Sequence, residues 1–264
     1  MTMFALGPEG TFSHELACRL VPSEEVQLLP AIGMVLSSVE RGLGEGVIPV
    51  ENSEAGGVGP ALDGLLRSNV FVTAEIFIAI HHYLASFHPI NEITEIYAHP
   101  QTSEQCSDFL DKLGVEIIPT KSNAASAIEL MGNRGSAAVV SKKISEIYDL
   151  PLILSNIENN PHNVTRFFRV SDHPWQGPGP EKCSIVVDPA LDRPGLLYEL
   201  LGVFGRRGIN LCRIESRPSK RGMGSYVFFI DITTSPGYEE SLAELESLAT
   251  IKRLGCYKKW DVVM

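Results

Sequence analysis

The sequence has no apolar run long enough to cross a bilayer. A spanning helix needs about 20 consecutive apolar residues, whereas the longest candidate, residues 70–87, is interrupted by Glu75, His81 and His82. The first ten residues also lack the basic segment and apolar core of a secretory signal. These absences predict a cytoplasmic protein with no membrane partner.

Nucleotide and metal fingerprints are missing as well. Neither GxGxxG nor GxxxxGK[ST] occurs, so the chain lacks the usual phosphate-binding loops. His81 and His82 are adjacent rather than four residues apart, so we expect no metal site there. The cysteines lack C-x-x-C spacing, and an odd, dispersed set favours reduced thiols over a disulfide framework or a zinc site. They are Cys18, Cys106, Cys183, Cys212 and Cys256.

Positive charge is scarce, and it is unevenly distributed. The net charge of −10 argues against nucleic acid as a partner. Residues 1–172 hold 10 Lys and Arg against 21 Asp and Glu (10 − 21 = −11), whereas residues 173–264 hold 12 against 11 (12 − 11 = +1). If the first part binds an anion, the attraction must come from local devices such as helix N-termini, backbone amides and well-placed arginines.

A proline- and glycine-rich segment divides the chain in two. Residues 171–182, "SDHPWQGPGPEK", cannot continue a helix or a central strand. After it, strand and helix patterns follow in the order βαββαβ, which predicts a ferredoxin-like layer of helices on an antiparallel sheet. Before it, short strands and helices alternate, which predicts an α/β domain with mainly parallel strands.

Four turns in the first part place polar side chains after predicted strands. Ligands of α/β sheets gather at the carboxyl ends of strands. Each turn alone is typical of an ordinary helix cap, but the four together favour a shared pocket. The turns are "GPEGTFSH" with Thr11 and Ser13, "IPVENSEAGG" with Asn52 and Ser53, "AHPQTSEQ" with Gln101, and "VVSKK" with Ser141.

A fifth segment, "NVTRFF", places Thr165 and Arg166 at the start of an aromatic strand. One interpretation is an edge strand whose polar residues face water. The other is that the guanidinium grips a carboxylate through two N–H bonds while the hydroxyl meets a second oxygen. The segment alone leaves both open.

In this order, "GPEGTFS", "IPVENS", "AHPQ", "NVTRFF" and "RGINLCRIESRP" resemble the motifs of the prephenate dehydratase family. The resemblance implies a two-lobed catalytic domain, similar to periplasmic binding proteins, over residues 1–172. Its first lobe would hold about 1–75 and 155–172, and its second lobe about 76–154. A linker at 173–182 would lead to an ACT regulatory domain at 183–264 with the ferredoxin-like βαββαβ fold.

The resemblance also implies a reaction. Prephenate would lose carbon dioxide and its ring hydroxyl to give phenylpyruvate, a carbon–oxygen lyase step of phenylalanine biosynthesis. Aromatisation drives this step, so no cofactor is expected. By resemblance Thr165 is essential for dehydration, and Arg166 either polarises it or binds a carboxylate. The expected substrate-binding residues are Thr11, Ser13, Asn52, Ser53, Gln101, Ser141 and Phe167.

In the second part the resemblance implies feedback inhibition by L-phenylalanine. The family usually has Ala where this chain has Leu196, and we expect the bulkier side chain to narrow the effector pocket. ACT domains pair side by side, which predicts a homodimer or a homotetramer. The expected effector contacts are Gly195, Leu196, Leu197, Asn210, Glu215 and Ser216.

Two other functions remain open. Arogenate dehydratase performs the same chemistry on the transaminated substrate. A non-catalytic amino-acid-binding sensor would use the same two-lobed cleft and would tolerate loss of the Thr165 hydroxyl. A fused chorismate mutase is not expected, because no all-helical segment of its size leads the sequence.

Overall fold

The computed structural model describes residues 1–133, 135–190, 193–222 and 224–260. The first lobe is built from alternating strands and helices, as the hydrophobic pattern predicts. Its elements are β1 (Met3–Leu6), α1 (Phe12–Leu20), a 3₁₀ turn (Ser23–Glu25), β2 (Val26–Leu29), α2 (Ile32–Glu40), β3 (Glu45–Asn52), β4 (Gly56–Gly57), α3 (Gly59–Arg67) and β5 (Phe71–Ala79), with β11 (Val164–Ser171) returning from the second lobe.

The first-lobe sheet has the order β2-β1-β3-β11-β5. Strand β1 is parallel to β2 and β3, and β11 lies antiparallel between β3 and β5. Apolar residues cover both faces of this sheet, so α1 packs on one side and α2 and α3 on the other. Strand β11 is therefore central, and its successive side chains enter opposite layers.

The second lobe follows a short crossing at residues 80–82. Strand β5 continues to Ala79 because that residue is still paired with Val164 of β11. The sheet order of the lobe is β10-β6-β9-β7-β8. Its elements are β6 (Tyr83–Ser86), a 3₁₀ turn (Ile90–Glu92), β7 (Glu95–Ala98), α4 (Pro100–Gln105), α5 (Ser107–Leu113), β8 (Glu116–Pro119), α6 (Asn123–Gly132), β9 (Ala137–Val140), α7 (Lys142–Ile147) and β10 (Leu152–Ser155).

The C-terminal domain confirms the predicted βαββαβ order. Its helices cover one face of a sheet ordered β13-β14-β12-β15 and share a core with it. The two-lobed α/β arrangement before it confirms the other half of the predicted fold. The elements are β12 (Lys182–Asp188), α8 (Leu196–Gly205), β13 (Leu211–Pro218), β14 (Tyr226–Thr233), α9 (Tyr238–Glu246) and β15 (Thr250–Trp260).

The two domains share one sheet and one core, which the sequence did not predict. The end of β15 runs parallel to β5, with Lys258–Trp260 beside Ala74–Ile76. The helix-free face of the C-terminal sheet packs against the first lobe. A single buried cluster joins Phe168 and Val170 of β11 to Val186, Val227, Phe229 and Tyr257. The back of the strand that carries Thr165 is thus covered by the C-terminal domain.

The expectation that all five cysteines are reduced thiols is wrong for one pair. Cys183 and Cys256 lie directly opposite each other on β12 and β15 and form a disulfide. Antiparallel register brings them together although 73 residues separate them in the chain. Across the residues the structure describes, no helix is both long and apolar enough to cross a membrane.

Candidate active site

A cavity of about 450 Å³ lies between the two lobes of the first domain. Loops at the strand ends of both lobes line it, as expected for an α/β sheet. The cavity brings together seven of the predicted residues from distant parts of the chain. They are Thr11, Ser13, Asn52, Gln101, Ser141, Thr165 and Phe167.

Five helices begin at this cavity. Their N-cap residues line it, namely Thr11 of α1, Val58 of α3, His99 of α4, Ser122 of α6 and Ser141 of α7. Helix N-termini carry a partial positive charge and free N–H groups, and they favour anions within the first turn. The cleft therefore attracts negative charge locally, although the domain around it has a net charge of −11.

The hydroxyls of Thr11 and Ser141 hold the loops of the site in place. Thr11 Oγ1 accepts from the backbone N–H of His14 and donates to the Leu6 carbonyl at 3.0 Å. Ser141 Oγ caps α7 and donates to the Gly10 carbonyl at 3.2 Å, which links the two lobes. Both side chains line the cavity, but their described hydrogen bonds are structural.

Thr165 is oriented by Asn52. The Asn52 Oδ1 accepts from the backbone N–H groups of Glu54 and Ala55 at 3.0 and 2.9 Å, so the amide cannot be flipped without losing both bonds. Its Nδ2 therefore faces Thr165 and donates to Oγ1 at 3.0 Å. Because the Thr165 oxygen accepts this bond, its own proton is available to another acceptor.

Asn163, which sequence reasoning missed, holds Asn52. Its side chain is only 1% exposed, and its Oδ1 accepts from Asn52 Nδ2 at 2.7 Å. Its Nδ2 donates to Glu54 Oε2 at 3.1 Å. Ser53 belongs to the same network: its Oγ accepts from the Val164 N–H at 3.0 Å, and it does not line the cavity. The signal for Asn163 was its place in the "NVTRFF" segment, two residues before Thr165.

Arg166 does not reach the cleft, and the expectation that it binds a carboxylate there is corrected. Adjacent strand residues face opposite sides of a sheet, so Arg166 points away from the layer that Thr165 enters. It is 5% exposed and bonds to Glu75 and Asp231 on the side of the C-terminal domain. The carboxylates of Glu75 and Asp231 pair with the guanidinium that we expected to bind the ligand.

Lys121 is the one lysine or arginine lining the cavity within the described part of the chain, and sequence reasoning did not single it out. It is exposed, has no ion pair with a described residue, and precedes Ser122, the N-cap of α6. Its position after β8, at the end of a parallel strand, was the available signal. An anion bound at the N-terminus of α6 would lie near the Lys121 ammonium.

Two histidines, His82 and His99, also line the cavity. Burial lowers the pKa of His82, although its hydrogen bond to Gln105 and the charge of Glu158 act in the opposite direction. The His82 Nε2 lies 3.0 Å from Gln105 Oε1, and its buried Nδ1 has no hydrogen-bond partner among the described residues. His82 is therefore a neutral part of the wall at neutral pH.

The predicted effector residues fall on two sides of the C-terminal domain. Gly195 is the N-cap of α8 with a φ of +82°, Leu196 is buried, and Leu197 is partly exposed. Asn210 and Ser216 are exposed. Glu215 faces the first domain: a Cβ at Gly57 would collide with its carboxylate, which also pairs with Arg213. Glu215 is thus at the domain interface, because Arg213, Glu215 and Arg217 of β13 all point towards the first lobe.

Two family models match the chain. The model described as prephenate dehydratase matches residues 3–174, and the ACT domain model matches residues 186–250. The bifunctional chorismate mutase/prephenate dehydratase of Pseudomonas aeruginosa is 36% identical over 96% of this chain and 72% of its own length. The chloroplastic arogenate dehydratase/prephenate dehydratase 2 of Arabidopsis thaliana is 33% identical over 95% of this chain and 71% of its own length.

A solved structure agrees with these matches. The prephenate dehydratase of Arthrobacter aurescens in complex with L-Phe is 31% identical, with a TM-score of 0.87 over 98% of this chain and 90% of that chain. The fold, the ordered motifs and these similarities lead to one conclusion. The chain belongs to the prephenate dehydratase family of lyases and carries an ACT domain.

Proposed function

We propose that the protein converts prephenate into phenylpyruvate, carbon dioxide and water, and that the inter-lobe cavity is the site. The observation that carries this proposal is the Thr165 hydroxyl, which Asn52 holds so that its proton is free in a cavity ringed by helix N-termini. Prephenate carries two carboxylates and a ring hydroxyl, so it offers anions to the termini and an acceptor to Thr165.

In the proposed mechanism, the bond between the ring and its carboxylate breaks, and the electron pair completes the aromatic ring. The bond from the ring to the hydroxyl oxygen breaks at the same time. The leaving oxygen takes up a proton along the Thr165 hydrogen bond and departs as water, and Thr165 recovers its proton from solvent. The bond that Thr165 accepts from Asn52 makes its hydroxyl a better donor. Oriented donors of this kind stabilise charge as it develops.

Arg166 does not serve the substrate in this proposal, and Lys121 takes the role of the carboxylate-binding cation. Its ammonium is a flexible point charge on the cavity wall, and it complements the N-terminus of α6. Ser13 and Gln101 remain proposed neutral contacts, and Phe167 remains a proposed apolar contact for the ring. Ser53 acts indirectly, through the strand it holds.

Regulation by L-phenylalanine is part of the proposal. Its support is the ACT match and the solved relative that holds L-Phe. We assign effector binding to the exposed side, with Gly195, Leu196, Leu197, Asn210 and Ser216, and remove Glu215 from the set. A homodimer or homotetramer, with effector sites between ACT domains, also belongs to the proposal.

A cytoplasmic location is likewise proposed, and the Cys183–Cys256 disulfide is the observation that bears against it.

Arogenate remains the alternative substrate, since one relative is named for both activities. Incubation of the purified protein with prephenate and with arogenate, with and without L-phenylalanine, tests the whole proposal. We expect phenylpyruvate from prephenate. A folded protein that yields no product from either substrate would refute the enzymatic function, and the amino-acid-sensor alternative would then stand.

A further inference from the structure

Behind the strand that carries Thr165 lies a buried group of charges, here called the interdomain cluster. Arg166 is its centre: Nε donates to Glu75 Oε2 at 2.9 Å, and Nη1 donates to Asp231 Oδ2 at 2.5 Å. Arg166, Glu75 and Asp231 are 5%, 0% and 3% exposed. The members of the cluster are Arg166, Glu75, Asp231, Lys182, Ser184 and Tyr257.

The cluster joins the two domains. Arg166 and Glu75 belong to the first domain, whereas Asp231 comes from β14 of the C-terminal sheet. Tyr257 from β15 accepts from Arg166 Nη2 at 3.1 Å and lies 2.6 Å from Ser184 Oγ. Ser184 in turn donates to Asp231 Oδ1 at 2.5 Å.

The charges of the cluster balance. Arg166 and Lys182 face Glu75 and Asp231, and Lys182 Nζ lies 2.6 Å from the Glu75 Oε1 that Arg166 does not use. Burial alone would lower the pKa of Arg166, but Asp231, Tyr257 and Glu75 raise it, so the guanidinium stays charged. A buried charge held by a complete set of partners follows those partners when they move, because a broken contact leaves it unpaired.

The cluster and the Thr165 site occupy neighbouring rungs of the same two strands. Thr165 pairs with Asn52 across β11 and β3, and Arg166 pairs with Glu51 on the next rung. The first rung forms the Asn52–Thr165 bond in the cleft. The second rung faces the C-terminal sheet, where Glu51 Oε2 lies 3.0 Å from Arg213 Nε of β13. One peptide unit on each strand therefore separates the proposed proton donor from ionic contacts with the regulatory domain.

We propose that Arg166 is a positioning residue that couples the C-terminal sheet to the Thr165 hydroxyl. This inference rests on the proposed function. Asp231 and Tyr257 hold Arg166, and Arg166 holds β11 in the register that keeps Thr165 within reach of Asn52. If an effector shifts the C-terminal sheet relative to the first domain, the contacts of Arg166 with Asp231 and Tyr257 move first. Coupling of this kind requires that the two arrangements differ in contacts at both sites, and the neighbouring rungs supply both sets.

A purely structural role makes a different prediction, because any interdomain contact would then serve equally well. The chain offers a matched control in Asp63, which pairs across the same interface with Arg217 at 3.2 Å and with Lys220 at 2.6 Å. Asp63 lies in α3 and has no described contact with β11.

The test compares Tyr257→Phe, Asp231→Asn and Asp63→Asn in the full chain. Tyr257→Phe keeps the ring contact with Phe168 and removes only the hydroxyl, so it remains informative if Asp231→Asn fails to fold.

L-Phenylalanine binding is measured by calorimetry, and prephenate turnover is measured with and without L-phenylalanine. For both cluster variants we expect L-phenylalanine affinity within about threefold of wild type and KM little changed. We also expect kcat to fall, and inhibition by L-phenylalanine to weaken by about tenfold, a typical size for coupling between sites. Asp63→Asn retains wild-type kcat and inhibition.

Three results would overturn the inference. Folded cluster variants that keep wild-type kcat and inhibition show that Arg166 does not position Thr165. Equal loss of inhibition in Asp63→Asn shows that the whole interface, not this cluster, carries the coupling. A rise confined to KM shows a role in binding rather than in positioning.

Failure of the proposed function gives a separate signal. If wild type yields no product from either substrate, hydrogen exchange of the amides in residues 163–168 on addition of L-phenylalanine replaces turnover. We expect exchange to change in wild type and not in Asp231→Asn, and an unchanged wild type overturns the inference. If L-phenylalanine does not bind wild type, the test is the kcat of Asp231→Asn compared with that of wild type. An unchanged kcat overturns the inference.

Discussion

The cleft and the interdomain cluster lie on opposite faces of β11, and they handle charge in opposite ways. In the cleft the ligand-facing groups are mostly neutral donors and helix N-termini, with one exposed ammonium from Lys121. In the cluster the groups are full charges, buried and paired within the protein. An arginine that already holds two carboxylates has little left to offer a ligand. The nearest cation in sequence to a reactive hydroxyl therefore need not be its partner in space.

We expect the strongest loss of activity from a change on the cleft face of β11. Thr165→Ala removes the proposed proton donor, and we expect kcat to fall by about 10²- to 10⁴-fold, the usual contribution of a positioned acid. KM should change much less, because the contacts that bind the substrate equally well in the ground state and the transition state are kept. Steady-state kinetics with prephenate measure both. Thr165→Ser is the matched control, since it keeps the hydroxyl, and it should retain most of the activity. A Thr165→Ala protein changed only in KM contradicts the assigned role.

The next effect belongs to the cluster face and appears as stability. Asp231→Ala leaves the buried cluster with one uncompensated positive charge, because Glu75 is then the one carboxylate of the cluster facing Arg166 and Lys182. We expect the free energy of unfolding to fall by about 3–5 kcal/mol. Chemical denaturation measures this change. Glu199→Ala removes the exposed ion pair with Arg193 and should leave unfolding unchanged within error. Equal losses in the two variants would mean that the cluster is no more than a surface ion pair.

A smaller effect sharpens the contrast within the cleft. Lys121→Met removes the proposed carboxylate-binding cation, and we expect KM for prephenate to rise about tenfold, the equivalent of about 1.4 kcal/mol, with kcat nearly constant. The rise should shrink at high salt, because exposed charges are screened. Lys112→Met, a change outside the cavity lining, is the control and should leave KM unaltered. An unchanged KM in Lys121→Met would assign carboxylate binding to the helix termini alone.

The smallest effect concerns the pH dependence of stability. Burial lowers the pKa of His82 in the fold below its usual value of 6.5. The unfolded chain therefore binds the proton more readily, so the stabilising contribution is present above pH 6.5 and is lost as pH falls below it. Burial lowers the pKa of His14 too, and that contribution remains in a His82 variant.

We expect His82→Gln, which can still bond to Gln105, to lose less stability between pH 7.5 and 5 than wild type does. Thermal unfolding across this range measures the difference. Parallel pH profiles for the two proteins would show that His82 contributes nothing to the pH dependence.

Much of the cleft could be predicted from the sequence. Thr11, Asn52, Gln101 and Ser141 each follow a predicted strand or open a predicted helix, and such positions converge at one edge of an α/β sheet. Thr165 instead begins a predicted strand, and it lines the same cavity. Asn163 and Lys121 escaped notice for different reasons. An asparagine in a turn is commonplace, and an exposed lysine is typical of any surface.

Arg166 shows the limit of this approach. Alternation along a strand indicates that Thr165 and Arg166 face opposite sides, but it does not say which side holds the cleft or what covers the other. The C-terminal domain covers it, and β14 and β15 supply Asp231 and Tyr257 from 65 and 91 residues away. Glu215 illustrates the same point, since its orientation depends on which face of β13 meets the first lobe.

Local patterns in the sequence specify the order of strands and helices and the polar turns that line the cleft, and they predict a division near residues 171–182. These follow from hydrophobic period, capping and turn chemistry, which act between residues a few positions apart. The folded chain was needed to show that β15 joins β5, that Cys183 pairs with Cys256, and that Arg166 lies at the interface. Those outcomes depend on register and packing between segments far apart in the chain, which no local pattern records.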